Sequence, residues 1–398
     1  MKALLLENPH PLAATILGEA GVEVDLRTAA LGEDDLIAAL DGVDLLGIRS
    51  KTSVTARVLD ARPDLVAIGA FCIGTNQIAL DAATRHGIGV FNAPYSNTRS
   101  VVELAVANII AMARRLTERD RALHDGVWDK SSTGSHEIRG RTLGIVGYGN
   151  IGSQLSVVAE MLGMQVFFYD TEDKLALGNA RRCSSLGELL DSVETVTLHV
   201  DGRAGNAGIF GAEQFARMRP RSLFLNLSRG FVVDYDALAE SVTSGHLAGA
   251  AVDVFPDEPL SRGDRFDSPL RGLPNVILTP HVGGSTEEAQ EDIGRFVGGK
   301  LRDYVHLGST TLSVNLPTLT PDRSVHAQRI AHLHQNTPGV LAHLNQVLAA
   351  HEVNIDGQVL ATRGHTGYVV TDTASEPTPE MLAELREVPE TVRLRVIE

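Results

Sequence analysis

A glycine-rich turn between an apolar strand and a helix constrains the fold more than any other feature of this chain. Gly147, Gly149 and Gly152 follow the apolar run Leu143 to Val146 with G-x-G-x-x-G spacing. The first glycine permits a tight turn, the second lets a pyrophosphate approach the backbone, and the third lets the helix pack on the strand. Glycine supplies 38 of the 398 residues, so an ordinary turn that needs glycine is the alternative. The flanking strand and helix patterns favour a dinucleotide site.

The acidic residue after the next strand predicts which dinucleotide is bound. Asp170 closes the apolar run that begins at Val166. A carboxylate there accepts hydrogen bonds from ribose hydroxyls and repels a 2′-phosphate. The pattern therefore favours NAD over NADP, with the phosphates at the start of the helix near Asn150.

Alternating strand and helix patterns divide the chain into domains, as its length of 398 residues also suggests. Six apolar runs separated by helical patterns lie between Arg141 and His281, which matches a complete dinucleotide-binding sheet. The stretch from the amino terminus to Ala70 alternates similarly and predicts another parallel sheet. Residues 326 to 398 have the order βαββαβ, which is typical of a ferredoxin-like module.

A weakly polar segment between the two predicted sheets has apolar residues at helical spacing. It runs from Ser100 to Arg114 and indicates a buried helix. Ser100 and Glu103 have the spacing of a capping box, so we expect the helix to begin at Ser100.

Charge and cysteine content exclude several partners. The formal net charge of −15 repels nucleic acid and anionic membranes. Cys72 and Cys183 offer neither a disulfide framework nor metal-ligand spacing, so we expect no metal site and a reducing compartment. No apolar stretch approaches the roughly 18 residues of a membrane span, so we expect a cytoplasmic protein. An anionic substrate would need a locally basic site such as Arg49 with Lys51, although a solvated strand end explains that pair equally well.

Three polar residues in turns after predicted strands form a candidate catalytic set. His281 is suited to accept or donate a proton near neutral pH, and Glu258 is a candidate partner for its ring. Arg229 could hold a carboxylate bidentately. Taken singly, one of 14 histidines is more often structural, Glu258 is more often a surface charge, and Ser-Arg-Gly is most often a plain turn. The hypothesis depends on all three turns lying at the carboxyl edge of one sheet.

The motifs around these residues resemble a known family. Gly-Tyr-Gly-Asn-Ile-Gly, Asn-Leu-Ser-Arg-Gly, Asp-Val-Phe-Pro-Asp-Glu-Pro and Thr-Pro-His-Val-Gly-Gly-Ser-Thr resemble the D-isomer-specific 2-hydroxyacid dehydrogenases. Arg-Ser-Lys-Thr, Gly-Ala-Phe-Cys-Ile-Gly-Thr-Asn-Gln and Phe-Asn-Ala-Pro-Tyr-Ser-Asn-Thr-Arg-Ser-Val narrow the resemblance to the D-3-phosphoglycerate dehydrogenases that carry a C-terminal ACT domain. The resemblance covers essentially the whole chain.

The resemblance implies an α/β architecture with three parts. Two are Rossmann-like doubly wound domains, a flavodoxin-like substrate domain and an NAD-binding domain inserted in it, and the third is a ferredoxin-like βαββαβ ACT domain. The implied bounds are 1–98 with 284–315 for the substrate domain, 99–283 for the NAD-binding domain, 316–325 for a linker and 326–398 for the ACT domain.

The resemblance also assigns roles to individual residues. Arg229 would bind the substrate carboxylate, Glu258 would orient His281, and His281 would be the general acid and base. The residues expected to line the NAD site are Gly147, Gly149, Asn150, Ile151, Gly152, Asp170, Leu227, Ser228, Arg229, Asp253, His281, Val282, Gly283 and Gly284. Arg49, Lys51 and Asn97, with Arg229, would contact the carboxylate or phosphate of the substrate. Lys51 stands where arginine is expected, and Asp201 where proline usually follows Val200.

The implied activity is NAD-dependent oxidation of 3-phospho-D-glycerate to 3-phosphohydroxypyruvate, the entry step to serine. His334, Asn336 and Asn354 would bind L-serine as an allosteric inhibitor between paired subunits of a homo-oligomer, expected to be a tetramer. Without the resemblance, Asn336 reads as a helix cap and Asn354 as a turn residue. Two alternatives are an enzyme for another 2-hydroxy acid, such as 2-hydroxyglutarate, and a non-catalytic NAD-sensing scaffold.

Overall fold

The computed structural model describes residues 1–259, 263–322 and 328–397. The chain forms two compact units, Met1–Ser96 with Gln290–Glu398, and Asn97–Ala289. The first is called unit 1 and the second unit 2 below. The end of the predicted linker, residues 323–325, and the predicted start of the ACT domain at 326 lie outside the described residues.

Unit 1 opens with a parallel sheet covered by helices. Its elements are β1 (Lys2–Leu5), α1 (Leu12–Glu19), β2 (Glu23–Leu26), α2 (Glu33–Ala39), β3 (Leu45–Ile48), α3 (Ala56–Ala61), β4 (Ala67–Ala70), α4 (Leu80–Arg85) and β5 (Gly89–Asn92). The strand order is β2-β1-β3-β4-β5, the flavodoxin-like order, and all four pairings are parallel. Every residue of β3 and β4 is buried, which explains why these strands read as continuous apolar runs instead of alternating ones.

Unit 2 contains the sheet that follows the glycine-rich turn. Its elements are α5 (Thr98–Arg114), α6 (Leu116–His124), β6 (Thr142–Val146), α7 (Asn150–Met161), β7 (Gln165–Tyr169), β8 (Arg181–Arg182), α8 (Leu186–Ser192), β9 (Thr195–Leu198), α9 (Ala212–Arg217), β10 (Ser222–Asn226), α10 (Tyr235–Thr243), β11 (Leu247–Val252) and β12 (Val276–Leu278). The order is β12-β11-β10-β9-β6-β7-β8 and every pairing is parallel. The chain order reverses between β6 and β9, where doubly wound sheets bind ligands.

Two details of unit 2 differ from the sequence prediction. The sheet has a seventh strand, β8, whose two residues are too few to show a periodic pattern. Helix α5 begins at Thr98 instead of Ser100, and its N-cap residue Asn97 makes no side-chain cap. Other contacts replace the expected capping box: the hydroxyl of Ser100 bonds to that of the distant Thr286 (2.9 Å), and Glu103 pairs with Arg99 one turn earlier on the same helix.

The carboxyl-terminal part of unit 1 has the predicted βαββαβ order. After α11 (Glu287–Leu307) come β13 (Gln328–Gln335), α12 (Val340–Ala350), β14 (Ile355–Arg363), β15 (Thr366–Thr373), α13 (Pro379–Glu387) and β16 (Thr391–Ile397). The sheet is antiparallel, in the order β14-β15-β13-β16. The α/β fold class, with its parallel sheets and this antiparallel module, is therefore confirmed.

The two central strands of the carboxyl-terminal sheet, β13 and β15, are largely buried on both faces. On one face, Ile330 and Val369 form a core with Leu344 of α12 and Leu385 of α13. On the other, Leu333 and its neighbours join the core of the first sheet of unit 1. Within residues 1–259, 263–322 and 328–397, no helix has both the length and the apolar character needed to cross a membrane.

Candidate active site

Three adjacent strands of unit 2 deliver the candidate catalytic residues to one edge of the sheet. Arg229 follows β10, Glu258 follows β11 and His281 follows β12. These strands are parallel neighbours, so their carboxyl ends lie side by side. Short turns after each strand keep the three side chains at that edge, as the sequence predicts.

His281 and Glu258 form a hydrogen-bonded pair. Nδ1 of His281 lies 2.8 Å from Oε2 and 3.0 Å from Oε1 of the Glu258 carboxylate. The backbone amide of Phe255 donates to Oε1 at 3.0 Å, which holds the carboxylate in place. Because Glu258 occupies Nδ1, the Nε2 atom is the one left to exchange a proton with a substrate, and the imidazole side chain is 47% exposed.

The two partners shift each other's pKa in opposite directions. The hydrogen bond that His281 donates to Glu258 raises the pKa of His281 above its ordinary value. Burial lowers this pKa, the charges of Glu258 and Asp253 raise it, and the charge of Arg229 lowers it. Burial by itself would raise the pKa of Glu258, but the hydrogen bond and charge of His281, the Phe255 amide and Arg229 together lower it. The pair therefore favours a carboxylate beside an imidazole that accepts a proton readily.

Asp253 holds the turn that carries His281. Its Oδ1 atom accepts from the hydroxyl of Thr279 (2.5 Å) and the amide of Val282 (2.9 Å), and Oδ2 accepts from the amide of Gly283 (2.8 Å). His281 has φ +53°, an uncommon left-handed conformation for a residue with a side chain. These three hydrogen bonds hold the backbone on both sides of His281, so Asp253 stabilises the conformation of the turn.

Arg229 and Asn97 lie in the same unit as the pair. The guanidinium of Arg229 donates to the carbonyl of Ser228 through Nη1 (2.7 Å), and its charge lowers the pKa of both Glu258 and His281. Asn97 lies against Gly284, where a Cβ would come within 2.3 Å of its Nδ2 atom. The Oδ1 atom of Asn97 is buried without a hydrogen-bond partner and so can accept one from a ligand.

The glycine-rich turn has the shape that a pyrophosphate site requires. Gly147 has φ +91°, and a Cβ there would lie 2.6 Å from the carbonyl oxygen of His199. A Cβ on Gly152 would lie 2.2 Å from the carbonyl oxygen of Gly147, so close packing within the protein requires these two glycines. A Cβ on Gly149 would meet no atom within 4 Å. Its space lies at the start of α7, where the first-turn amides have no partner within the helix, so the turn fits a dinucleotide.

Two backbone amides hold the carboxylate of Asp170 in place. Oδ2 accepts from the amide of Tyr148 (2.7 Å) and Oδ1 from that of Glu172 (2.9 Å). Asp201 has a local role in its own turn, because it accepts from Nε of Arg203 (2.8 Å) and from Nδ2 of Asn206 (2.8 Å). Aspartate at position 201, where proline is expected, thus gives a polar turn that is held by hydrogen bonds among its own side chains.

The remaining substrate candidates, Arg49 and Lys51, belong to unit 1, in the loop that follows β3. One residue that the sequence reasoning missed shapes this loop. The buried carboxylate of Glu7 accepts from the amides of Arg49 (3.2 Å), Lys51 (3.0 Å) and Thr52 (2.8 Å). The bonds to Glu7 therefore fix the backbone of the loop that carries these two cations. A single acidic residue after an apolar strand was the only sequence signal for Glu7.

The effector candidates do not meet within one chain. His334 is buried at the end of β13, with Nδ1 2.9 Å from the carbonyl of Gln335 and Nε2 without a partner, and Asn336 follows it. Asn354 precedes β14, and its carbonyl accepts from Ala374. Both β13 and β14 run antiparallel to β15, so Asn354 lies at the opposite end of the sheet, roughly 20 Å away at about 3.3 Å per residue. Within the described parts of the chain, no group of three or more His, Cys, Asp or Glu side chains could hold a metal ion.

Comparison with known proteins gives consistent matches. Residues 106–283 match the model for the D-isomer specific 2-hydroxyacid dehydrogenase NAD binding domain, and residues 330–393 match that for the AHAS small subunit-like ACT domain. The chain is 47% identical to D-3-phosphoglycerate dehydrogenase of Haemophilus influenzae and 46% identical to that of Escherichia coli, covering all of this chain and 97% of each relative. Among solved structures, the fold is similar to that of NAD-dependent formate dehydrogenase from Staphylococcus aureus in complex with NAD, with a TM-score of 0.66. The two chains are 28% identical, and the match covers 76% of this chain and 95% of that one.

Proposed function

Because the chain belongs to the D-isomer specific 2-hydroxyacid dehydrogenase family, we propose that it oxidises 3-phospho-D-glycerate with NAD to 3-phosphohydroxypyruvate, the entry step to serine. The observation that carries the proposal is the His281–Glu258 pair, 2.8 Å apart, at the same sheet edge as Arg229. A base, the group that orients it and a carboxylate-binding cation are what oxidation of a 2-hydroxy acid requires.

Each residue of the set has a distinct task in the reaction. Arg229 binds the substrate carboxylate through its guanidinium fork, which directs the C2 hydroxyl toward the histidine. His281 accepts the hydroxyl proton at Nε2, and Glu258 stabilises the imidazolium that forms. NAD, when bound, accepts the hydride that leaves C2. In the reverse direction protonated His281 returns the proton to the carbonyl oxygen.

The phosphate is assigned to cations of unit 1. Arg49 and Lys51 are two cations close together in the loop after β3, and the bonds from their amides to Glu7 fix the backbone that carries them. Lysine at position 51 keeps the charge but cannot form a planar bidentate contact, so we expect Arg49 to contribute more to phosphate binding. Asn97, with its unpaired Oδ1, would accept a hydrogen bond from the substrate.

The test is NADH formation from 3-phospho-D-glycerate, compared with 2-hydroxyglutarate at equal concentration. We expect kcat/KM to favour the phosphorylated acid, and His281→Ala to lower turnover about 10²- to 10⁴-fold while NAD binding is retained. The matched control is His86→Ala, which removes another histidine–carboxylate pair (2.7 Å, with Asp60) from unit 1. A higher kcat/KM for 2-hydroxyglutarate would show that the substrate is a different 2-hydroxy acid. If no 2-hydroxy acid gives NADH, only the non-catalytic NAD-sensing scaffold remains.

Regulation by L-serine would require two copies of the chain. His334 and Asn336 lie at one end of the carboxyl-terminal sheet and Asn354 at the other, so a site that uses all three takes Asn354 from a second copy. The unpaired Nε2 of His334 is a polar atom that such a ligand can bond to. The exposed apolar side chains Val359 and Leu360 on the edge strand β14 give a surface on which two copies can pair.

A second exposed apolar surface supports a tetramer. It comprises Leu123 of α6 and the following Val127 and Trp128, of which Trp128 is 80% exposed. Two different surfaces that each pair with their own kind close a tetramer, whereas one gives only a dimer. Cys72 and Cys183 are not joined in a disulfide, which fits the proposed cytoplasmic location.

A further inference from the structure

One buried phenol joins the loops that carry Arg229 and Glu258. Tyr235 lies in the first turn of α10, and its side chain is buried. Its hydroxyl donates to the carbonyl of Val254 at 2.5 Å and accepts from Nδ2 of Asn226 at 3.1 Å. Burial raises the pKa of this phenol, so it remains protonated and can donate at any pH at which the enzyme works.

On one side of the phenol, Asn226 organises the Arg229 turn. Its Nδ2 also donates to the carbonyl of Arg229 (3.0 Å), and its Oδ1 accepts from the amide (3.1 Å) and hydroxyl (2.8 Å) of Ser228. An amide nitrogen has two protons, and here one goes to the Arg229 turn and the other to Tyr235. The position of Arg229 thus depends on a fully engaged, fully buried amide.

On the other side, Val254 leads directly into the loop that holds Glu258. The next residue, Phe255, donates its amide to Glu258, and Glu258 binds His281. The two loops also touch at Gly230, where a Cβ would lie 2.0 Å from the carbonyl carbon of Phe255. Glycine allows this close approach, and the two hydrogen bonds of the Tyr235 hydroxyl oppose separation of the loops.

We propose that Tyr235 is a positioning residue for the reaction: its hydroxyl fixes the spacing between Arg229, which holds the substrate carboxylate, and the Glu258–His281 pair, which takes the proton. The proposal rests on the proposed function, since it assumes the roles of those three residues. The competing explanation is that the hydroxyl only satisfies the buried carbonyl of Val254, which would stabilise the fold without affecting substrate geometry.

The charges around His281 give a readout that a purely structural role would not move. Glu258 and Asp253 raise its pKa, and Arg229 lowers it. If loss of the Tyr235 hydroxyl lets the Arg229 turn recede, the opposing positive charge weakens and the pKa of His281 rises further. Oxidation needs the neutral imidazole, so the acid limb of kcat/KM moves to higher pH.

The experiment compares Tyr235→Phe with Tyr368→Phe. Each substitution removes one buried hydroxyl that donates to a backbone carbonyl. The hydroxyl of Tyr368, in the carboxyl-terminal sheet, donates to the carbonyl of Gly308 at 2.8 Å. We expect Tyr235→Phe to raise KM for the hydroxy acid about tenfold and to move the acid limb upward, with KM for NAD within about twofold. Tyr368→Phe should lower Tm comparably but leave KM and the pH profile unchanged. Equal behaviour of the two variants would overturn the proposal.

A second variant covers the case in which Tyr235→Phe does not fold. Asn226→Ser shortens the side chain so that it reaches neither the phenol nor the carbonyl of Arg229, while a hydroxyl remains beside Ser228. The same rise in KM for the hydroxy acid is expected, and an unchanged KM would count against positioning through this link. Wild-type NADH formation is measured in parallel, so a failure of the proposed function is seen separately from a failure of this inference.

Discussion

At the residue scale, the proposed proton transfer depends on how Glu258 changes the pKa of His281. A histidine with an ordinary pKa would be partly protonated near neutrality, and the carboxylate 2.8 Å away raises that pKa. The raised pKa makes the imidazole a better proton acceptor but reduces the fraction that is neutral at low pH. Oxidation therefore weakens as pH falls through the raised pKa of His281, and reduction weakens as pH rises through it.

Glu258→Gln tests this dependence directly. Without the carboxylate charge, the pKa of His281 falls, so the acid limb of kcat/KM for oxidation moves to lower pH while the maximal rate falls about 10-fold or more. Reduction at neutral pH falls as well, because less imidazole is protonated. The control Glu118→Gln removes a carboxylate paired with Arg115 at 2.6 Å, also in unit 2, and should leave both profiles in place. If the acid limb of Glu258→Gln lies at the same pH as that of the unaltered protein, the carboxylate of Glu258 does not set the pKa of His281.

At the element scale, the glycines of the β6–α7 turn fall into two groups, those required by packing within the protein and the one that we assign to cofactor binding. A Cβ on Gly147 or Gly152 would collide with backbone atoms, so these glycines serve the packing of the turn. A Cβ on Gly149 would meet nothing within 4 Å, and its φ of −81° is open to any residue. We therefore propose that glycine is needed at position 149 for the close approach of the cofactor to the start of α7.

Gly149→Ala should therefore weaken cofactor binding without unfolding the protein. We expect KM for NAD to rise about tenfold or more, roughly 1.4 kcal/mol, while the helix start loses only about 0.5 kcal/mol. The control Gly18→Ala, on α1, likewise adds a Cβ that meets no atom within 4 Å and should leave KM for NAD unchanged. Titration with NADH fluorescence and a thermal melt measure the two effects separately. A large drop in Tm with normal NAD affinity would contradict the assignment.

At the scale of the whole molecule, the effector proposal depends on the sheet topology. The register of β13 and β14 against β15 places His334 and Asn354 at opposite ends of one sheet. One chain therefore cannot bring both to a ligand as small as an amino acid. Pairing of two copies through their sheets would create two equivalent sites, each with one residue from either chain.

Mixed oligomers test the shared site. His334→Ala and Asn354→Ala should each abolish inhibition by L-serine, whereas kcat and KM without serine remain near those of the unaltered protein. Refolding or co-expressing the two variants together should restore inhibition in part, because one of the two sites in a mixed pair is intact. Titration of NADH formation with L-serine measures the recovery. No recovery, together with mass measurements that show mixed oligomers, would rule out a site shared between copies.

Much of the fold was predictable because its signals are local. Apolar runs and helical periods lie within short windows, so the parallel sheets and the βαββαβ module were anticipated from the sequence. The start of α5 was wrong by two residues, since the bond between Ser100 and Thr286 joins residues far apart in the chain. The two-residue strand β8 was missed because it carries no period.

The amino-acid sequence by itself determined the fold class, the dinucleotide turn and the candidate set Arg229, Glu258 and His281, because each depends on a few neighbouring residues. Only the tertiary structure decided how these residues are held. Three buried side chains hold them through hydrogen bonds to backbone groups distant in the chain. Asp253 holds the His281 turn, Glu7 holds the Arg49 loop, and Tyr235 links the loops of Arg229 and Glu258. A backbone amide or carbonyl has the same chemistry at almost every residue, so no residue pattern announces which of them a buried side chain will reach.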